Sequence, residues 1–131
     1  VGAIDQTDAN NIINAQLRNV AYTTVTATKI RLGTTAPTAT TNMTELTGTG
    51  YAAGGSTITW NAASAGATSN SGSVSWTNSS GSSWSIVGLE IWDTAGTPLR
   101  HLYGTWTGQP ISVANGNTFS TAAAAVAYSL V

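Results

Sequence analysis

The chain has 131 residues, with no Cys, one His, four Lys or Arg and five Asp or Glu, for a formal net charge of −1. Charged residues are 7% of the sequence, against about 25% in a usual soluble domain. So few titratable groups leave little for acid–base catalysis, no thiol for a redox or zinc site, and no basic run to neutralise phosphates. Polarity comes instead from Thr, Ser, Asn and Gly, which solvate a surface without doing proton chemistry. The composition points to a surface that packs, assembles or binds. The length suits a single domain over 1–131, with an arm and helix in 1–21 and a β-domain in 22–131. No apolar run approaches the roughly 20 residues of a membrane span. The start Val1-Gly2-Ala3-Ile4-Asp5 lacks the basic and apolar regions of a signal peptide. It is compatible with a natural start after loss of the initiator Met.

The first predicted element is a short helix. Thr7 or Asp8 is its expected cap, and Asp8 also puts negative charge at the N-terminal end of the dipole. Ile13, Leu17 and Val20 follow at spacings of four and three, with Ala9 and Ile12 alongside. Arg18 suits the C-terminal end. Such a short stripe does not hold a helix in water alone, so it must dock on its own sheet or on a neighbouring chain.

Everything after it reads as strand and turn. Residues 26–32 alternate, with Thr28, Ile30 and Leu32 on one face and Lys29 and Arg31 on the other. A long Thr-rich connection fills 33–50, longer than a structureless loop usually runs. Ile58 and Trp60 share a face, as do Val74 and Trp76. The run 84–92 is apolar almost throughout and predicts one strand buried on both faces. A turn at 93–98 returns the chain into 99–106. Ile111 and Val113 form a short strand, and Asn115-Gly116 predicts a tight hairpin into the last run. The Ala-rich run 119–131 has helical propensity, but Ala124, Val126, Tyr128 and Leu130 alternate, which predicts a strand. These elements predict a mainly β fold, an antiparallel β-sandwich of jelly-roll-like kind with one short N-terminal helix.

The search for chemistry finds one cluster, Glu90, Asp93 and His101. A hairpin tip at Ala95-Gly96 would set Glu90 opposite His101, with Ser85 nearby in sequence, the skeleton of a hydrolase site. No nucleophile motif or oxyanion loop accompanies the pair, so a cross-strand polar contact is the favoured reading. No catalytic residue, metal site or cofactor is expected. Among the tryptophans, Trp60 and Trp76 read as core. Trp84 and Trp106, beside Ser and Thr at strand ends, are the candidates for a sugar-stacking face. Gly54-Gly55 reads as a turn or bulge. Asn42 and Asn78 head glycosylation sequons, which matter only in a eukaryotic secretory host. For contacts between chains the candidates are Ile12, Ile13 and Leu17 on the helix and Ala123 and Ala125 in the flat run near the end.

The order of turn and strand markers carries a resemblance. Leu32-Gly33-Thr34-Thr35-Ala36-Pro37-Thr38 is followed by Thr44-Glu45-Leu46-Thr47-Gly48 and Gly50-Tyr51-Ala52. Gly72-Ser73-Val74-Ser75-Trp76 comes next, then a Trp-led strand ending in the 93–96 turn, and Val113-Ala114-Asn115-Gly116-Asn117-Thr118. Over nearly its whole length the chain resembles small β-rich virion proteins of tailed bacteriophages, known as capsid decoration, head-fibre or tail-fibre-like proteins. That family often has Arg soon after the Tyr-Ala pair. Ala53 stands here, so no contact through that Arg carries over. The resemblance implies a non-enzymatic virion protein, with capsid decoration on the head exterior favoured and a carbohydrate-binding tail-fibre module as the alternative. The implied partners are the major capsid protein or another virion protein, and further copies of the chain as a homotrimer. Neither nucleic acid nor membrane is implied.

Overall fold

The computed structural model describes residues 3–23, 25 and 27–131. Thr26, the first residue of the expected strand 26–32, lies outside them, as do Val1, Gly2 and Thr24. The chain runs β1 (Ala3–Ile4), α1 (Gln6–Arg18), β2 (Thr28–Gly33), β3 (Ser56–Ile58), β4 (Ala67–Ser69), β5 (Val74–Thr77), β6 (Trp84–Ile86), β7 (Gly88–Asp93), β8 (Arg100–Thr105), β9 (Ile111–Val113), β10 (Thr118–Thr121) and β11 (Ala127–Ser129). One antiparallel sheet has the order β1-β8-β7-β2-β3, and three two-stranded ribbons, β10-β5, β11-β4 and β6-β9, complete the fold. The fold is mainly β and antiparallel with one short helix, as the alternation predicted. The N-terminal arm also contributes a strand, because β1 pairs with β8.

The core follows from period-two patterning. Ile30 and Leu32 of β2 are fully buried, while Lys29 and Arg31 point to the other face. Ile58, Leu89 and Ile91 join them from the sheet. Trp76, Trp84, Ile86, Val113 and Val126 come from the ribbons and their ends, and Trp60, Val74 and Trp106 pack at the margin. Burying each large side chain contributes about 1.5–3 kcal/mol, so this sandwich-like core is the main favourable term.

Three connections differ from the sequence expectation. The run 84–92 is two strands, not one. At Val87 the chain leaves the β6–β9 ribbon and enters the five-stranded sheet, with the Val87 N–H on the Gly33 carbonyl and its own carbonyl accepting from Trp106. The Asn115-Gly116 turn forms, closed by the Asn117 N–H on the Ala114 carbonyl, with Gly116 at φ 87°. It is not a hairpin, because β9 pairs with β6 and β10 with β5. The last run is broken as well. Residues 122–125 turn, with Ala124 at φ 62°, and separate β10 from β11. Gly54-Gly55 is the expected turn. A Cβ on Gly55 would run into the Ile30 carbonyl oxygen, and its φ of 82° suits glycine.

Two asparagines that read as loop residues hold the ribbon ends. Asn70 is fully buried. Its Nδ2 donates to the carbonyls of Gly72 (2.7 Å) and Ala122 (2.8 Å), and its Oδ1 accepts from the Val126 N–H (2.8 Å). Asn78 is equally buried, donating to Ser82 (2.8 Å) and Val113 (2.7 Å) and accepting from Ser80. Its amide is thereby engaged inside the fold, which closes that sequon to modification in the folded chain. Alanine at either position leaves buried backbone groups unpaired, each costing about 1–3 kcal/mol. We expect Asn70→Ala and Asn78→Ala each to lower unfolding stability by about 2–4 kcal/mol in urea titration. A loss below about 0.5 kcal/mol would show that water replaces the clamp.

Candidate functional site

The outer face of the five-stranded sheet is where the chain concentrates its ionisable groups. β7 presents Leu89 and Ile91 to the core, so Glu90 and Trp92 fall on the opposite face by alternation. The long 33–50 connection folds over that face. Its Met43 is buried, and the Leu46 N–H bonds to the Leu32 carbonyl. Tyr51 reaches in from beyond it, donating to Glu45 (2.8 Å) and accepting from the Leu32 N–H (3.2 Å). Burial and the Glu45 carboxylate push the Tyr51 phenol above its ordinary value.

Arg100 at the start of β8 sits at the centre, 3% exposed. A guanidinium carries five N–H donors, and all are engaged. Nε (2.8 Å) and Nη2 (2.6 Å) donate to Asp5 Oδ2. Nη1 donates to Glu90 Oε1 (2.9 Å) and the Thr41 carbonyl (3.0 Å), and Nη2 also to the Thr38 carbonyl (2.7 Å). Glu90 is likewise saturated, accepting from the Met43 N–H (2.8 Å) and Trp92 Nε1 (2.8 Å). Asp5 is also the helix cap, since its Oδ1 accepts from the Thr7 N–H (2.8 Å). The expected caps Thr7 and Asp8 instead lie inside the first turn, because Asp5 alone reaches both Thr7 and Arg100.

His101 forms a second bridge. Nδ1 lies 2.9 Å from Asp8 Oδ2 and Nε2 3.1 Å from Asp93 Oδ2. Tyr22 donates to the other Asp8 oxygen at 2.6 Å, and burial with that bond pushes its phenol above the ordinary value. Burial pushes the Asp93 carboxyl up, but hydrogen bonds from the Leu99 N–H, His101 and the Ala95 N–H outweigh it and hold the carboxyl below its usual value. The pairing of Glu90 with His101 does not form. Glu90 faces Tyr103, two places from His101, and a bulge between Ile91 and Trp92 sets Trp92 opposite Arg100. His101 has a carboxylate on each nitrogen and no lone pair directed at a hydroxyl. Ser85 stands in β6 opposite Ser112, in a ribbon outside this sheet. The geometry ties α1 to the sheet and, among the described residues, assembles no nucleophile–base pair. Among the described residues no group of His, Asp or Glu is arranged to hold a metal ion.

The tryptophan candidates fall apart. Trp84 is 3% exposed, inside the core, so its face is closed to a sugar ring. Trp106 is half-buried and packs edge-on against Phe119 at 5.2 Å. The contact candidates mostly face outward. Ile13 is 51% and Leu17 80% exposed, Ala123 and Ala125 are exposed, and Ile12 is half-buried. The only buried residue of α1 is Asp8. The helix therefore docks on its own sheet through charge, with its apolar stripe turned away.

The sequence profile of the family described as "Podophage GP4 fiber I protein gp80" matches residues 3–129. No curated protein matches the chain. The match spans nearly all of the sequence, and the chain belongs to this podophage fibre family, whose members are virion proteins.

Two tests follow from the charge cluster. Arg100→Leu strands Asp5 and Glu90 in a buried site and should cost about 3–5 kcal/mol in urea unfolding. Asp93 has a depressed folded pKa, so its contribution is complete above about pH 4 and drains away as pH falls through the folded value. The acid limb of stability against pH should be flatter in Asp93→Asn than in the parent chain. Parallel limbs would remove Asp93 from the account.

Proposed function

We propose that this member of the podophage fibre family is a non-enzymatic structural module, attached to the head exterior through the major capsid protein or another virion protein. The observation that carries the reading is the closure of the chemically active groups. All five carboxylates are engaged within the fold, and His101 is bridged on both sides. Apart from Arg18, what faces solvent is mostly hydroxyl, amide and methyl, which suits display and assembly. Burial of Trp84 and the packing of Trp106 support head attachment over a receptor-binding tail tip, since neither offers an open aromatic platform.

We also propose a homotrimer, closed through the 122–131 end. There Leu130 and Val131 are 64% and 92% exposed, and Ala123 and Ala125 are exposed as well. Small and apolar side chains exposed together suit close approach around a symmetry axis.

A cryo-electron map of the particle tests the placement. Tens to hundreds of copies on the head support it. Density confined to the tail, with saturable glycan binding lost in Trp106→Ala, would replace it with the adsorption reading. Light scattering tests the trimer, and a monomer at high concentration would refute it.

A further inference from the structure

Beyond the Asp5 cap, the only buried residue of α1 is Asp8. Its tie to the sheet runs through His101 of β8. Nδ1 of the ring lies 2.9 Å from Asp8 Oδ2, and Nε2 lies 3.1 Å from Asp93 Oδ2. All three side chains are enclosed, the ring at 12% exposure and the two carboxylates at 6% and 10%. An ionised carboxylate only accepts hydrogen bonds, and a neutral imidazole has one N–H and one lone pair. The two contacts together need a ring that carries two protons. With one proton, a lone pair faces a carboxylate across one of them, where little solvent screens the repulsion.

The surrounding groups decide which contact gives way. Asp93 is fixed by its own turn, since its Oδ1 accepts from the Ala95 N–H (3.2 Å) and the Leu99 N–H (3.0 Å). Asp8 keeps the Tyr22 hydroxyl (2.6 Å), which comes from the exposed segment after the helix. Tyr128 of β11 also lies within electrostatic reach of Asp8. Burial and the Asp8 carboxylate push both phenols above their ordinary value, so they stay neutral where histidine titrates. Arg100, the neighbour of His101 in β8, is committed to Asp5 and Glu90. A ring with one proton therefore keeps it for Asp93 and turns its lone pair to Asp8. We infer that His101 is a proton-operated latch on α1. With two ring protons it joins Asp8 to Asp93 and holds the helix against the sheet. When one proton leaves, the Asp8 contact opens and the helix is free to swing on its Asp5–Arg100 anchor. The latch is shut at low pH and opens as pH rises, because the form that makes both bonds is the protonated one. It is independent of where on the virion the chain sits.

The test uses the full chain with ¹⁵N-labelled histidine, followed by NMR from about pH 5 to about pH 9, across the ordinary range of histidine. Amide hydrogen exchange is measured alongside and corrected for the intrinsic rate at each pH. Both ring nitrogens should carry protons at the low end. As the ring becomes neutral, protection of the α1 amides should fall about tenfold on the same curve, while β7 and β8 keep theirs. Asp93→Asn separates the latch from general loosening. Its amide puts an N–H where Oδ2 now lies, so a neutral ring can accept there and still donate to Asp8. In that variant α1 should stay protected at the high end, with unchanged β7 and β8 protection as the check on the fold. A neutral ring at the low end would mean that a carboxyl holds the shared proton, and would overturn the latch. So would α1 protection that ignores the titration of the ring, or a loss in Asp93→Asn equal to that of the parent chain.

Discussion

The arrangement of the outer face depends on one buried guanidinium. Arg100 joins the helix cap, the 33–50 connection and the central strand β7, three segments far apart in the sequence. A buried ion pair contributes little net stability compared with an apolar substitute, because desolvation offsets most of the attraction. Its strength is directional. Five donors in a fixed plane accept one arrangement of acceptors and reject others, so Arg100 positions α1 more than it stabilises the fold.

That division explains how the molecule is built. The inner face is an ordinary hydrophobic contact between sheet and ribbons, tolerant in detail and large in energy. The outer face is polar, specific and small. A helix attached by apolar packing would have had its Ile13 and Leu17 buried. Attachment by Asp5 and Asp8 at one end leaves those side chains exposed.

Much of the inner layer was legible in the sequence. Alternation at Ile30/Leu32 and Val74/Trp76 is a property of the extended backbone, so it reads locally. Pairing partners are not local. Asn115-Gly116 specifies a turn, yet nothing nearby says that the strands on either side join different ribbons. Glu90 faces Tyr103, two places past His101, and the bulge at Ile91/Trp92 accounts for only one of those two places. Asp5 and Arg100 stand 95 residues apart, and no pattern at either end names the other. Asn70 and Asn78 were hidden for a related reason. In Ser- and Gly-rich runs an asparagine looks solvated, and only the fold shows that its amide is enclosed.

The ribbons have a consequence for the order in which the chain takes shape. β7 and β8 are neighbours in sequence, but β5 waits for β10, with Ser75 meeting Ser120 across 45 residues. Asn70 waits for Ala122 across 52. During synthesis, β4, β5 and β6 leave the ribosome long before their partners exist, with open edges able to pair wrongly with other nascent chains. At three or four residues each, these strands offer only short edges to a wrong partner.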